Sequence, residues 1–248
     1  MALPRNVRKL QLQDEKEVLI WIAGLDNIAE SRLIQLSDLM SEDEDQRASR
    51  FRFERDRRRF VACRGMLREI LGTCLEMDPE RINFGYGANG KPYVKTQTGS
   101  VLRAVSFNVS HSAGRAIYAV STNEVGVDLE VIRPIPEMDA LVERYFSDSE
   151  RTAFKSIAAD LKLRAFYNCW TRKEAYVKAC GDGLSIPLDQ FDVSLDTNAP
   201  DLLIRVAGVS GNLLPWELHS FDISADTVAA LACRRNSQPF LCDCWSPS

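Results

Sequence analysis

Gly126-Val127-Asp128-Leu129-Glu130, followed by Trp170-Thr171-Arg172-Lys173-Glu174-Ala175-Tyr176-Val177-Lys178, decides how this chain reads. As a strand, the first stretch points the carboxylates of Asp128 and Glu130 to one face. As a helix, the second sets Glu174 one turn before Lys178 on a shared face. Three carboxylates and an ammonium then converge on one spot. Carboxylates about 4 Å apart repel by roughly 4 kcal/mol per pair at an effective dielectric near 20. Such a cluster needs a cation, and oxygen ligands with no nearby Cys or His suit Mg²⁺ or Mn²⁺ better than zinc.

Each piece alone has a plainer explanation. A D-x-E strand is usually a solvated face, and E-x-x-x-K is usually a surface pair worth a few tenths of a kcal/mol. Glu174 departs from that pattern. Its predicted helix runs from Leu163 to Cys180 and stops at Gly181, a good residue to follow a helix end. Leu163, Phe166, Tyr167, Trp170 and Val177 form the apolar stripe, and Glu174 falls inside it. A carboxylate there must be paired, metal-bound or at the rim of a cleft.

Upstream, Val18 to Ala23 reads as a buried strand and Glu30 to Leu39 as a short helix. Ser41 and Glu44 make a capping box that starts an arginine-bearing helix. Asp56 to Leu75 continues as a long helix with Phe60, Cys63, Met66, Leu67, Ile70 and Leu71 on its core face. A turn at Asp78 to Arg81 and a strand at Ile82 to Tyr86 lead into a glycine-punctuated loop, Gly87 to Lys91. Ser106 to Val109, Ala116 to Ser121 and Gly126 to Val131 are strands. Downstream, Glu143 to Phe146 and Ser147 to Ala159 are helical, the latter opened by a Ser147/Glu150 capping box. Strands follow at Phe191 to Leu195, Leu202 to Val206, Trp216 to Ile223 and Thr227 to Cys233, then an irregular arm from Asn236. The pattern is α+β in two similar halves, 1–122 and 123–248, with the seam near Thr122-Asn123.

Composition narrows the function. Hydrophobic content of 45% and charge of 27% are those of an ordinary globular protein. No apolar run approaches the length of a membrane span, and the N-terminal residues lack a signal core. A cytoplasmic enzyme is the expectation. Cys63, Cys74, Cys169 and Cys180 read as small buried hydrophobes. The Cys242-Asp243-Cys244 pair has neither a second pair nor a nearby His to complete a metal site. A net charge of −4 argues against non-specific nucleic-acid binding. Nine arginines nevertheless lie between positions 47 and 68. Most read as a solvated helix face, but arginine is also the best bidentate phosphate ligand.

Two further motifs precede the acids: Gly90-Lys91-Pro92 and Phe107-Asn108-Val109-Ser110-His111-Ser112. Together the four resemble the Sfp-type 4′-phosphopantetheinyl transferase superfamily. Its pattern is G-[IV]-D-[IL]-E, then W-[ST]-x-K-E-A-x-x-K about forty residues later, preceded by a G-K-P loop and an F-N-x-S-H-S turn. The match spans residues 90 to 178 and weakens before 40 and after 190. The resemblance implies a pseudo-twofold pair of α+β subdomains with the active site at their interface. It implies transfer of 4′-phosphopantetheine from coenzyme A to a serine of an apo-acyl or peptidyl carrier protein, releasing adenosine 3′,5′-bisphosphate. Asp128, Glu130 and Glu174 would hold Mg²⁺. Glu174, directly or through water, would take the serine proton, and Lys178 would face the pyrophosphate. Lys91, through its loop backbone, with Pro92, Ser110, His111, Arg47 and Arg59, would hold the nucleotide of coenzyme A in the N-terminal half. The chain is expected to act as a monomer, without nucleic acid or membrane. Two rival classes stay open here: a coenzyme A-binding module without catalysis, and a metal-dependent phosphohydrolase.

Overall fold

The computed structural model describes residues 17–96, 98–102, 105–181, 186–196, 203–206, 215–235 and 237–241. Cys242-Asp243-Cys244 lies outside them. Four layers stack in the order helices, sheet, sheet, helices. The first sheet orders its strands β11-β1-β5-β4, with β1 Glu17–Gly24, β4 Ser106–Ser112, β5 Arg115–Ser121 and β11 Gln238–Leu241. The second orders them β6-β10-β9, with β6 Val125–Val131, β9 Trp216–Ser224 and β10 Thr227–Arg234. Two small antiparallel ribbons complete the strands: β2 Phe84–Tyr86 with β3 Pro92–Val94, and β7 Phe191–Val193 with β8 Leu203–Val206. The helices are α1 Glu30–Asp38, α2 Glu42–Ser49, α3 Glu54–Leu75, α4 Met138–Tyr145, α5 Asp148–Lys155 and α6 Lys162–Cys180. Among the described residues no helix is long and apolar enough to cross a membrane.

The unbroken apolar run of β1 follows from burial on both faces. Leu19, Trp21 and Ala23 join α1 and α3 in one core, while Val18, Ile20 and Ile22 face the second sheet. There they meet Val125, Val127 and Leu129 of β6 and Ala229 and Leu231 of β10. The far face of the second sheet packs on α4 to α6 through Val228, Ala230, Phe166, Tyr176 and Val177. Strand alternation therefore leaves Gly126, Asp128 and Glu130 on the face of β6 that meets α6.

Four features of the fold depart from the sequence expectation. The tail is not an irregular arm: β11 pairs in parallel with β1, Glu17 opposite Gln238, so the C-terminal half contributes a strand to the N-terminal sheet. Phe107 to Ser112 is not a turn but the body of β4. The turn is the two-residue Ala113-Gly114 at φ 45° and 83°, the backbone of a tight hairpin. Pro92 opens a strand that the sequence hid behind proline. The arginine helix is broken at 50–53 between α2 and α3.

The arginines divide accordingly. Arg68 is buried, and its guanidinium grips Glu44 at 2.7 Å and the carbonyls of Pro79 and Ile82. Arg64 reaches the other Glu44 oxygen at 2.8 Å. Glu44 also accepts from the Ser41 amide, so one capping carboxylate docks α2 on α3. Removing one partner of such a buried pair strands the other charge, at a cost of about 3 kcal/mol. Glu44→Gln, which leaves the buried Arg68 without its counter-charge, is therefore expected to lower unfolding free energy by about that amount in urea titration. A change below about 1 kcal/mol would contradict this role.

Candidate active site

Asp128 and Glu130 come from β6, and Glu174 and Lys178 from α6. Gly126 sets how near these elements lie. A Cβ at Gly126 would fall 2.2 Å from the Ala175 carbonyl oxygen and 2.3 Å from the Ala179 nitrogen. The helix rests directly on bare strand backbone. Ala175 and Ala179 form its contact face, one turn apart like Glu174 and Lys178 beside them.

Lys178 Nζ lies 2.6 Å from Asp128 Oδ1, and Ser110 Oγ donates to the same oxygen at 2.8 Å. Among the described residues the other Asp128 oxygen, Oδ2, is buried with no hydrogen-bond partner. Ser112 Oγ donates to Glu130 Oε2 at 2.7 Å. Burial raises the Glu130 carboxyl above its ordinary range, and the Asp128 charge adds to this while Ser112 opposes it. Burial likewise raises Glu174, with Lys178 pulling down and the charges of Asp128 and Glu130 pushing up. The acids thus feel one another. They do not close into a cage: among the described residues no three acid, His or Cys side chains are set to hold a metal ion. Lys178 takes the place beside Asp128. The donors nonetheless fit a hard divalent cation. They are oxygen only, mutually repelling and partly desolvated, and one buried carboxylate oxygen lacks a partner.

The strands carrying these groups are edge strands of different sheets. β4 and β6 lie side by side in the same direction, joined by side chains. Asn108 Oδ1 accepts from the Val127 amide at 2.9 Å, and Ser112 Oγ accepts from the Val131 amide at 3.3 Å. With Ser110 on Asp128, three alternate residues of β4, Asn108, Ser110 and Ser112, reach β6. The motif was visible in the sequence, but the seam roles of Asn108 and Ser112 were not. Their signal was a polar residue at each even position from 106 to 112, alternating with Phe107, Val109 and His111.

A cavity of about 540 Å³ lies between α3 and β4. Arg47, Arg59, Phe60, Pro92 and His111 line it. Arg47 lies 5.4 Å from the centre of the Phe60 ring. Arg59 makes a two-pronged contact to Asp26 at 2.7 Å on each oxygen, and this pairing lowers the Asp26 carboxyl. His111 is open to solvent at the rim. The protein walls, then the Lys178 and Arg47 charges, hold its imidazole below the ordinary value. Lys91 does not line this cavity. Its ammonium donates to the carbonyls of Val125 at 3.0 Å, Lys178 at 2.7 Å and Ala179 at 3.2 Å. Burial pulls it down to about 8, opposed by the Glu124 charge.

Residues 124–245 match the family profile described as the 4′-phosphopantetheinyl transferase superfamily, and 28–123 match that of the 4′-phosphopantetheinyl transferase N-terminal region. The chain is similar to the 4′-phosphopantetheinyl transferase HetI of Nostoc sp. (strain PCC 7120), with 38% identity over 231 residues, 93% of this chain and 92% of the relative. The chain belongs to the 4′-phosphopantetheinyl transferase superfamily. It is also similar to the 4′-phosphopantetheinyl transferase Sfp of Bacillus subtilis (strain 168), at 30% identity over 63% of this chain and 66% of that relative. As a phosphopantetheinyl transferase it moves the phosphopantetheine arm onto carrier proteins. The fold of this transferase also holds a feature the motif alone did not disclose. Lys173, beside Glu174, is fully buried. It pairs with Glu150 at 2.8 Å and donates to the carbonyls of Leu188 and Phe191. Glu150 is the capping residue of α5 and also accepts from the Val193 amide. The pair pins α6 against α5 and β7, which fixes the helix that carries Glu174.

Proposed function

We propose that the acid cluster and the adjoining cavity are one active site. In it 4′-phosphopantetheine passes from coenzyme A to a serine hydroxyl of an apo-acyl or peptidyl carrier protein. One observation carries this reading. Asn108 lines the cavity and accepts from the Val127 amide beside Asp128, and Ser110, two residues on along the same face of β4, donates to Asp128 itself.

Arg47, Arg59 and His111 offer the cavity cationic and hydrogen-bonding groups for the phosphates of the nucleotide, with Pro92 and Phe60 as apolar wall. Ser110 supports the site through Asp128, and Lys91 through its loop. Asp128, Glu130 and Glu174 would hold Mg²⁺ or Mn²⁺, which when bound supplies charge neutralisation to the pyrophosphate. Glu174 accepts the proton of the carrier serine. The serine oxygen bonds to the β-phosphorus, the bond to the nucleotide phosphate breaks, and Lys178 faces the departing oxygen. Adenosine 3′,5′-bisphosphate leaves. Positioning and charge suffice for such a step.

Residues 1–122 then form the nucleotide-binding subdomain, and 123–248 the subdomain of the metal site and catalytic helix. A pseudo-twofold relation between them is supported by the layering, in which each sheet packs one face on the other sheet and one on its own helices. One chain supplies both parts of the site, which supports a working monomer. Cys63, Cys169 and Cys233 form no disulfide, which suits a reducing cytoplasm.

The test is transfer of a labelled arm from coenzyme A to apo-carriers, read as a carrier mass gain. EDTA is expected to abolish it, and Mg²⁺ or Mn²⁺ to restore it. No mass gain on any of several carriers with Mg²⁺ present refutes the reading. Free phosphopantetheine as product would favour the hydrolase instead.

A further inference from the structure

The contacts of Lys91 point away from simple nucleotide binding. Its ammonium sits on three carbonyl oxygens from two separate elements. Val125 opens β6, three residues before Asp128. Lys178 and Ala179 lie in the last turn of α6, and Lys178 is the residue whose side chain meets Asp128. Carbonyls in a last helical turn have no partner within the helix and carry the negative end of its dipole, so a cation there is held by both effects. Asn89 from the same loop donates to the Gly181 carbonyl at 3.3 Å. The loop holds its own shape through bonds from Gly90 N to Gly87 O and from Gly87 N to Lys91 O, both 2.9 Å. The next residue, Pro92, lines the cavity.

We propose that Lys91 is a positioning residue: its ammonium clasps the end of α6 to the start of β6, keeps Lys178 in register with Asp128, and ties that register to the loop bordering the nucleotide cavity. The proposal rests on the transferase reading for its kinetic test but not for its structural one. Clasp and register are separate contacts of one residue, Lys178, through its carbonyl and its ammonium. Loosening the carbonyl end lets the last turn fray and lets the ammonium wander from the site of charge development. A residue that only bound coenzyme A would act differently, raising KM and leaving kcat unchanged.

The experiment is a double-mutant cycle on the full chain. Lys91→Met is expected to lower kcat at least about tenfold while KM for coenzyme A changes less than about threefold. In a Lys178→Met background, Lys91→Met is expected to cause less than about a twofold further loss, since both act through one group. Lys91→Arg, which keeps a cation, should retain more activity than Lys91→Met. Hydrogen exchange is read in parallel without substrate. Amides of residues 175–181 should exchange at least about tenfold faster in Lys91→Met, with those of α3 unchanged. If Lys91→Met does not fold, Lys91→Gln takes its place in every arm. A rise in KM alone, additive losses in the cycle, or unchanged exchange at the end of α6 would each overturn the proposal. If the wild-type chain transfers nothing, the transferase reading fails, and the exchange arm still decides the clasp.

Discussion

Glu174→Gln is expected to lower the rate of arm transfer at least about a hundredfold, while the folded protein becomes no less stable at neutral pH. The two halves of that result have one cause. Glu174 is partly desolvated and sits near the charges of Asp128 and Glu130, so its raised pKa marks an ionised form that the fold disfavours. A carboxyl raised in the native state gives stability that is fully present below its unfolded pKa and is lost as pH rises through the native value. Melting temperature should therefore fall as pH climbs above the ordinary glutamate range, and glutamine should remove the Glu174 share of that slope. Saturating Mg²⁺ should flatten what remains, because a bound cation favours the charged acids. Melts between pH 4 and 8, with and without Mg²⁺, check this beside the rate. A variant that keeps near-normal turnover, or that melts well below wild type at pH 7, would separate Glu174 from the role given to it.

Gly126→Ala should have an effect as large through geometry alone. The new methyl would stand 2.2 Å from the Ala175 carbonyl oxygen, and neither that backbone nor the strand can yield by rotating a side chain. The helix must lift, and Lys178 and Glu174 lift with it. Overpacking of this kind costs about 1 to 3 kcal/mol, and a misplacement of about 1 Å can cost a hundredfold in rate. Denaturant titration and turnover should fall together. Loss of stability with full activity would mean that the helix accommodates the methyl without moving its reacting groups.

These expectations separate what the sequence discloses from what it conceals. The α6 helix and its end at Gly181 were legible because an apolar stripe and a left-handed stop are local signals. Both capping boxes were legible for the same reason. The seam was not. Ser110 and Ser112 meet β6 only once two sheets have formed and their edges have come together. Period-two polarity announces a face but not its partner. Lys91 was legible as part of a motif, yet its three acceptors are backbone atoms more than thirty residues away. No side-chain pattern records a carbonyl. β11 escaped because Gln238 and Pro239 open a strand that lies at a sheet edge, where proline is tolerated. The strand and the helix that carry the acids were legible. The place Lys178 takes beside Asp128 was not, because the contact joins two elements fifty residues apart.

The joint between β4 and β6 has a consequence beyond alignment. A strand with unsatisfied amides along its border is an invitation to a neighbouring molecule, and such borders seed polymerisation. Here Asn108 and Ser112 occupy the Val127 and Val131 amides from within the same chain. Asn108 and Ser112, the latter also holding Glu130, therefore act as stoppers, and a variant that strips them risks solubility before it loses chemistry.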